Sequence, residues 1–485
     1  MFTIFFSGQT YKYELESITK LFYPVVRFNF EYDKIDFSSE GIVTRLKKGK
    51  AYYYLWVRAN INGATKRLSA KTTDFADCER ILCVLLYKVL SQITGIKPTW
   101  GILTGIRPVL NFKKLLASGK SEQETVKIMQ DDFLLSKESC DKALLTAKVQ
   151  QKIIFPKNSF SLYVSIPFCK TRCSYCSFVS SSINSKKSLE LVDKYIDLLC
   201  EELKVTAEIT KNKTLDTIYI GGGTPTAISA TQLKKVTDTI AKYFPKPREY
   251  TIEAGRADTI TKEKLEVIKQ VANRISINPQ SFEDNVLKAV GRAHTAQEVI
   301  ACYNLARELG FDNINMDFIA GLPTDTVEGF KRSIDKAIEL NPENITVHTL
   351  SIKRSADLYE SVTALDGEIA KQMTDYSHKK LIENGYLPYY LYRQKNNIGN
   401  LENIGYCKKG YENIYNILIM DEVQTIVACG AGATTKLVSS MNISRVFNYK
   451  YHFEYINMFE EILKRKEEVR NFFKIGDIDS QIKTD

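Results

Sequence analysis

The sequence predicts an α/β protein built around a partial (β/α)6 barrel, with an N-terminal α+β domain and a C-terminal α/β extension. Three observations predict it. Apolar strand patterns alternate with helical patterns six times between residues 160 and 349, which favours parallel strands with helices outside. A polar or glycine-rich segment follows each of those strands at its C-terminal end, where the functional residues of such barrels lie. Residues 1–150 carry hairpin signals instead. We therefore expect an accessory domain over residues 1–150, the barrel over 158–360 and a family-specific region over 361–485.

The composition describes a globular protein of two or three domains. The chain has 485 residues, 44% of them hydrophobic, and a net charge of +10 from 67 basic and 57 acidic residues. That excess is too diffuse to indicate nucleic-acid binding. The first residues lack the positive region and cleavage site of a signal peptide, and no apolar run is long enough for a bilayer. We expect a cytoplasmic monomer without stable membrane insertion.

The N-terminal region predicts a small sheet covered by helices. Asn62-Gly63 is the strongest short hairpin signal, and Lys48-Gly49-Lys50 supplies another turn. The predicted strands are 42–46, 51–61 and 64–68, and the predicted helices are 74–92 and 109–117. No catalytic constellation is visible there, and Arg107 reads as a structural hydrogen-bond donor.

The barrel is predicted from strands and helices that take turns along the chain. The predicted strands are 160–166, 215–220, 249–253, 273–278, 312–318 and 344–349. The predicted helices are 188–210, 231–244, 262–271, 295–309 and 326–340.

The loop after the first barrel strand carries three thiols within eight residues. Cys169, Cys173 and Cys176 are spaced C-x3-C-x2-C. Three thiolates are one short of a closed zinc site or of the usual four-thiolate iron–sulfur cluster. A cubane held by three cysteines leaves one iron open for an outside ligand. The alternative is a structural zinc loop with a distant fourth ligand such as Cys200. The other seven cysteines are scattered, and we expect them to be reduced.

Candidate ligand-binding residues stand at the ends of the other barrel strands. They are the glycine turn 221–226, Glu253, Gln280, Gly291-Arg292, Asp317 and His348. The glycines would let a ligand approach the backbone and would turn N–H groups toward it. Each signal also has a structural reading, as a tight turn or a solvated charge. A later Gly/Ala segment, 427–436, could equally pack against adenosine or form a tight turn.

The cysteine spacing resembles the radical S-adenosylmethionine (SAM) superfamily. Further segments resemble the oxygen-independent coproporphyrinogen III oxidase family in order and spacing: 163–169, 221–225, Gln280, Gly291-Arg292 and 317–323. Segments 101–108, 392–396 and 399–406 are similar to its HemZ branch.

The resemblance implies a set of site residues. Cys169, Cys173 and Cys176 would hold a [4Fe–4S] cluster. Tyr163, Gly222 and Glu253 would contact the SAM bound to it. A second SAM would contact Tyr175, Gly223, Thr224, Gln280, Arg292 and Asp317. Tyr175 and Glu253 are the catalytic candidates.

The implied reaction converts two propionates of coproporphyrinogen III to vinyls, giving protoporphyrinogen IX. A 5′-deoxyadenosyl radical would abstract hydrogen from the propionate β-carbon. A flavodoxin- or ferredoxin-type protein would supply the electron. Lys353, Arg354 and Arg393 are candidate partners for the propionates of the tetrapyrrole.

Two residues depart from the oxidase pattern. Phe178 replaces a fourth cysteine, as in the family's haem chaperones, and Ser165 replaces a histidine. Two other functions therefore stay open, a haem-binding chaperone and a radical enzyme that acts on haem itself. The chain has only four histidines, and none stands where those chaperones carry a His-Asn pair, which weakens the chaperone reading. An RNA-modifying radical enzyme ranks lower, since no basic appendage is visible.

Overall fold

The computed structural model describes residues 2–24, 26–33, 35–37, 40–156, 158–178, 180–183, 186–351, 367–394, 397–439 and 442–482. The chain divides into two compact units. The first comprises Met1–Lys148 with Tyr392–Leu401, and the second comprises Val149–Leu391 with Glu402–Asp485.

The first unit is a mixed sheet covered by helices. Its sheet has the order β2-β1-β3-β4-β5, in which β1 runs parallel to β2 and β3 while β3, β4 and β5 are antiparallel. Helix α2 adds a buried apolar face to the core of this sheet. The elements are β1 (Phe2–Ser7), α1 (Lys12–Phe22), β2 (Phe28–Tyr32), β3 (Gly41–Lys48), β4 (Tyr53–Ile61), β5 (Ala64–Thr72), α2 (Cys78–Thr94), α3 (Val109–Ala117), α4 (Glu122–Asp131) and α5 (Lys137–Gln150).

The hairpin predicted at Asn62-Gly63 joins β4 to β5. Both turn residues have positive φ angles, 51° and 76°, as a type I′ turn requires. The sequence analysis did not identify β1, α1 or β2. Strand β1 is a largely buried interior strand of the sheet and reads as a short apolar run, which periodicity alone does not assign to a strand.

The second unit contains the six predicted parallel strands and their helices. They are β6 (Ser159–Ile166), α6 (Lys186–Thr210), β9 (Thr214–Gly222), α7 (Ala230–Tyr243), β10 (Glu249–Gly255), α8 (Lys262–Lys269), β11 (Arg274–Ile277), α9 (Asp284–Ala289), α10 (Ala296–Glu308), β12 (Ile314–Ala320), α11 (Val327–Leu340) and β13 (Asn344–Thr349). Two short strands, β7 (Phe168–Cys169) and β8 (Ser181–Ser182), flank the cysteine loop. The strand pairings β6-β9-β10-β11-β12-β13 are all parallel, which confirms the α/β fold class.

The C-terminal region extends the same sheet at both ends. Its elements are α12 (Gly367–Glu383), β14 (Leu387–Arg393), β15 (Glu402–Cys407), α13 (Ile414–Asp421), β16 (Thr425–Cys429), β17 (Thr434–Val438), β18 (Ile443–Phe447), α14 (His452–Asn457) and α15 (Phe459–Ile482). Among the described residues the sheet has eleven strands, in the order β14-β15-β13-β12-β11-β10-β9-β6-β16-β17-β18. Strand β16 runs parallel to β6, so the first barrel strand is an interior strand of the sheet.

The Gly/Ala segment after β16 is bound to the protein's own residues. Ser165 Oγ donates to Ala431 O at 2.8 Å, and the Ala431 N–H donates to Tyr195 Oη at 2.8 Å. Gly430 has a φ of 94°, and a Cβ there would lie 2.5 Å from Ser165 O. This packing favours the tight-turn reading of the segment over the adenosine-binding one. It also fills the surroundings of Ser165, where the oxidase pattern has a histidine.

None of the described helices combines the length and the apolar character that crossing a bilayer requires.

Candidate active site

The three cysteines lie on one loop at the C-terminal end of β6. The loop begins at β7, which pairs in parallel with β8. Cys173 is buried, whereas Cys169 and Cys176 are partly exposed, and all three are free thiols. The Cys176 N–H donates to Cys173 O at 3.0 Å, which curls the loop back on itself. Burial raises the pKa of the Cys176 thiol, and the negative charges of Cys173 and Cys169 raise it further. The hydrogen bond from the Phe178 N–H lowers it.

The glycine turn after β9 holds this loop in place. The Gly223 N–H donates to Ile166 O at 2.8 Å, and the Thr224 N–H donates to Phe168 O at 2.7 Å. A Cβ at Gly223 would lie 2.6 Å from Phe168 O, and one at Gly222 would lie 2.8 Å from Ser165 Oγ. The expectation that these N–H groups face a ligand is therefore wrong for residues 223 and 224. The backbone that approaches these glycines closely is the cysteine loop itself.

Two polar side chains contact the cysteine sulfurs. Thr224 Oγ1 lies 3.4 Å from Cys169 Sγ, and Arg256 Nη1 donates to Cys173 Sγ at 3.5 Å. No three His, Cys, Asp or Glu side chains in the described part of the chain are grouped as ligands of a single metal ion. The thiolates of a [4Fe–4S] cluster bind different irons, so they need not converge on one point. A loop with three reduced thiols and an arginine donor to sulfur fits such an anionic cluster.

Three tyrosines stack against one another beside β6 and β9. Tyr163 on β6 and Tyr219 on β9 are paired neighbours, with ring centroids 6.3 Å apart. Tyr415 of α13 lies 4.5 Å from the Tyr219 ring and 6.2 Å from the Tyr163 ring, and all three rings are nearly parallel. Such a face offers the apolar wall on which a planar ring can lie.

Glu253 at the end of β10 is joined to this stack. The Tyr219 hydroxyl donates to Glu253 Oε1. Desolvation raises the pKa of Glu253 to about 7, although the Tyr219 hydrogen bond lowers it, and the Asp317 carboxylate contributes to the rise. Gly221 makes room for this carboxyl group, since a Cβ there would lie 3.0 Å from Glu253 Oε2. Glu253 can therefore both accept hydrogen bonds and exchange a proton near neutral pH.

Gln280 lies three residues beyond the end of β11 and pairs with Phe318 of β12. Asp317 is in the middle of β12, so the expectation that it ends its strand is wrong. The Gln280 N–H donates to Asp317 O at 2.8 Å, and Gln280 has a φ of 70°, which is strained for this residue. Gln280 Oε1 is buried without a hydrogen-bond partner. Asp317 Oδ1 accepts from Asn315 at 2.7 Å and lies 4.0 Å from His348 Nε2. A buried polar atom without a partner indicates a position where a ligand completes the site.

The buried Arg292 is paired with Tyr175, a half-buried residue of the cysteine loop. Arg292 Nη1 donates to the Tyr175 hydroxyl at 3.0 Å, Nη2 donates to Asn278 O at 2.7 Å and Nε donates to His294 Nε2 at 3.3 Å. These bonds use three of the five guanidinium N–H groups and fix the plane of the side chain. Burial raises the pKa of the Tyr175 hydroxyl although Arg292 opposes this, so the phenol stays protonated.

The candidate propionate partners and the alternative zinc ligand have different outcomes. Arg393 belongs to the first unit, is 6% exposed, and donates to the carbonyl oxygens of Leu103 and Asn400. Its guanidinium has this structural function, so the structure does not favour it as a propionate partner. Lys353 and Arg354 lie outside the described residues. Cys200 Sγ donates to Lys235 O of α7, which does not support Cys200 as a fourth metal ligand.

The sequence analysis missed Tyr219, Arg256, Asp258 and Tyr415. Tyr219 could have been found, because it stands two residues before Gly221 on β9 and therefore shares its face of the strand. Arg256 follows the end of β10 directly, where barrel function was expected. Tyr415 comes from the C-terminal region and carries no local signal.

Comparisons with known proteins place this geometry in a family. The profile described as "Radical SAM superfamily" matches residues 163–337. The chain is 41% identical over 394 residues to the oxygen-independent coproporphyrinogen-III oxidase-like protein HemZ of Bacillus subtilis (strain 168), covering 77% of each chain. It is 31% identical over 327 residues to the heme chaperone HemW of Lactococcus lactis, covering 65% of this chain and 80% of that protein.

A solved structure shares the fold. Coproporphyrinogen III oxidase (HemN) from Escherichia coli aligns with a TM-score of 0.52 and 21% identity, covering 65% of this chain and 72% of that one. The cofactors of this superfamily are a [4Fe–4S] cluster and SAM, and the cysteine loop described above suits the cluster. The chain is a radical SAM protein and belongs to the oxygen-independent coproporphyrinogen-III oxidase family, in its HemZ branch.

Proposed function

We propose that this protein oxidatively decarboxylates coproporphyrinogen III to protoporphyrinogen IX without oxygen. The observation that carries the proposal is the 41% identity to HemZ over 77% of both chains, a span longer than the barrel alone. The site adds chemical support, because the cysteine loop, Glu253, Arg292 and Gln280 stand at the same end of the parallel strands. Two propionates become vinyls, and each loses CO2, one hydrogen atom and one electron.

The proposed cofactor contacts are those that the family resemblance implies. Cys169, Cys173 and Cys176 hold the cluster, and Tyr163, Gly222 and Glu253 contact the SAM bound to it. When bound, these groups supply a 5′-deoxyadenosyl radical that removes a hydrogen atom from a propionate β-carbon. A second SAM lies against Tyr175, Gly223, Thr224, Gln280, Arg292 and Asp317.

The protein's own residues position and shield the reactants in this proposal. Arg292, held by three hydrogen bonds, offers its remaining N–H groups to a carboxylate. Gln280 Oε1 accepts from a ligand N–H or O–H, which satisfies the buried oxygen. In its ionised form, Glu253 accepts hydrogen bonds from ribose hydroxyl groups. The tyrosine stack excludes water on one side. An external flavodoxin- or ferredoxin-type protein reduces the cluster, and a one-electron acceptor takes up the remaining electron.

A haem-binding chaperone is the second candidate. The similarity to HemW favours it, as does Phe178, which is 67% exposed where the oxidase pattern has a cysteine. A large apolar side chain beside the cysteine loop offers a surface to a macrocycle instead of a further thiolate. A radical enzyme that acts on haem itself remains the third candidate.

One set of assays separates these functions. The protein is reconstituted without oxygen, then given SAM, a chemical reductant and coproporphyrinogen III, and the products are measured as protoporphyrinogen and CO2. Cys176→Ser serves as the cluster-deficient control and Arg292→Lys as the matched site variant. We expect two CO2 per protoporphyrinogen from the wild type and none from Cys176→Ser. Stoichiometric haem binding without product would overturn the proposal in favour of the chaperone. Deoxyadenosine formation with loss of haem colour would overturn it in favour of ring opening.

A further inference from the structure

Arg256 connects the cysteine loop to the end of β10. Its Nη1 donates to Cys173 Sγ at 3.5 Å and to Thr171 O at 3.0 Å, while its Nε donates to Asp258 Oδ1 at 3.0 Å. The guanidinium is 4% exposed, and Cys173 is equally well shielded from solvent. The charge of Arg256 therefore acts on the sulfur at short range and with little screening by water.

The buried charges around Arg256 do not cancel. Asp258 is the carboxylate that faces it, with a side chain 6% exposed. Its further partners are His294 Nδ1 at 3.4 Å and the exposed Lys170 Nζ at 3.6 Å. Burial lowers the pKa of His294 although Asp258 opposes this, so the imidazole is neutral. Arg292 on the far side of His294 brings a second buried guanidinium. Two buried cations, Arg256 in direct contact and Arg292 through His294, thus face one buried carboxylate, and a net positive charge remains next to Cys173.

A cluster with three thiolate ligands needs such a charge. The oxidised cluster and its thiolates are together anionic, and one-electron reduction adds a further negative charge. Hydrogen bonds to the sulfurs and nearby positive charge favour the reduced form and raise the reduction potential. Thiolates accept N–H donors as weak but directed hydrogen bonds, and those from charged groups are the stronger ones.

We infer that Arg256 sets the reduction potential of the cluster, by donating to the Cys173 sulfur and by supplying the buried positive charge that offsets reduction. Arg256 is a positioning residue in this scheme, since it acts through Cys173 and not on substrate. The inference rests on Cys173 as a cluster ligand and does not depend on which tetrapyrrole is bound.

The network offers variants of opposite sign. Arg256→Gln removes the positive charge and the guanidinium N–H groups that bond Cys173 and Asp258, so the midpoint potential of the cluster should fall. Asp258→Asn removes the opposing carboxylate, so the potential should rise. Lys170→Gln is the matched control for an exposed charge in the same network. Lys170 Nζ lies 3.6 Å from Asp258 Oδ2, but its side chain is 56% exposed, so water screens the loss of its charge. A merely structural disturbance would not move the first two in opposite directions.

The test is potentiometric titration of reconstituted wild-type protein and variants, monitored by electron paramagnetic resonance. For Arg256→Gln we expect the ratio of reduced to oxidised cluster at a fixed potential to fall at least tenfold, which corresponds to about 59 mV for one electron. Electron–nuclear double resonance spectra in H2O and D2O identify the exchangeable protons that couple to the cluster. Arg256→Gln should show one such proton fewer than the wild type, and Lys170→Gln should show the same number. An unchanged midpoint, or equal shifts in Arg256→Gln and Lys170→Gln, would overturn the inference.

Two further measurements keep the test decisive. If Arg256→Gln assembles no cluster, Arg256→Lys takes its place. It keeps the charge without the guanidinium N–H groups, so its midpoint should lie below that of the wild type, and an equal midpoint overturns the inference. Iron and sulfide analysis of Cys173→Ser tests the ligation separately. Full cluster content there would show that Cys173 is not a ligand, and the inference would fail with it. None of these outcomes decides whether coproporphyrinogen is the substrate.

Discussion

Replacing Gly223 by alanine should dislodge the cysteine loop, because backbone atoms occupy the space that a Cβ needs. The new carbon would lie 2.6 Å from Phe168 O, 2.8 Å from Phe168 N and 3.0 Å from Ile166 O. Since all three are backbone atoms, no side-chain rotation relieves the contact. The segment that leads into Cys169 must move instead.

The expected loss can be worked from these contacts. Overpacking of this kind costs about 1–3 kcal/mol. Moving the loop also weakens the hydrogen bonds that Gly223 and Thr224 donate to Ile166 and Phe168, at about 1 kcal/mol each. We therefore expect the free energy of unfolding of the cluster-free protein to fall by about 2–4 kcal/mol. Cluster loading should fall with it, since Cys169 directly follows the displaced residue.

Urea unfolding, together with iron and sulfide content after anaerobic reconstitution, measures both effects. Gly410→Ala is the matched control, because Gly410 has a φ of 89° and nothing lies within 4 Å of its added Cβ. It should lose only the cost of a left-handed backbone, about 1–2 kcal/mol, and load a full cluster. A Gly223→Ala protein with wild-type stability and wild-type iron content would refute the reasoning.

Further predictions concern the buried charges. Burial raises the pKa of Glu253 to about 7 in the folded protein, from an ordinary value of 4.5. Between these two pH values the folded state holds a proton that the unfolded state has released. The free energy of unfolding therefore falls as the pH rises through this range. The free energy of unfolding in urea, measured against that of Glu253→Gln, should fall by up to about 3 kcal/mol between about pH 5 and pH 8. The same pH dependence in both proteins would contradict this. Tyr219→Phe removes the donor that lowers this pKa, so carboxyl NMR should show Glu253 titrating at higher pH; an unmoved titration would exclude the bond. Asp258→Asn should cost about 3–5 kcal/mol in urea, because it leaves a buried guanidinium unpaired, and a neutral result would show that solvent reaches it. Lys466→Met breaks a 2.9 Å buried ion pair with Glu202 and should also lower the free energy of unfolding by about 3–5 kcal/mol. The double variant with Glu202→Gln should recover part of this loss, and additive losses would contradict the pairing.

The barrel could be predicted because its signals are local. Each strand is a short apolar run with a glycine-rich or polar signal at or just after its end, and the cysteine spacing is contained in eight residues. The type I′ turn at Asn62-Gly63 depends on two adjacent residues in the same way. These features carry their geometry in the immediate sequence.

Features that depend on distant partners could not be predicted. The glycine turn was expected to face a ligand, yet Gly223 and Thr224 give their N–H groups to the cysteine loop, more than fifty residues earlier in the chain. Tyr415 reaches the tyrosine stack from α13, and nothing near it in sequence marks that destination. Arg256 stands at a predicted strand end, but its partner sulfur is known only once the loops are placed.

The place of β16 beside β6 has a consequence for how the protein acquires its metal. Ser165 and Ala431, which meet at this junction, are 266 residues apart in the chain. During synthesis, one edge of β6 has no neighbour until β16 has left the ribosome, and an open strand edge is prone to wrong pairing. The strand that leads into the cysteine loop therefore gains its second neighbour late in folding, so we expect cluster insertion to follow the docking of β16.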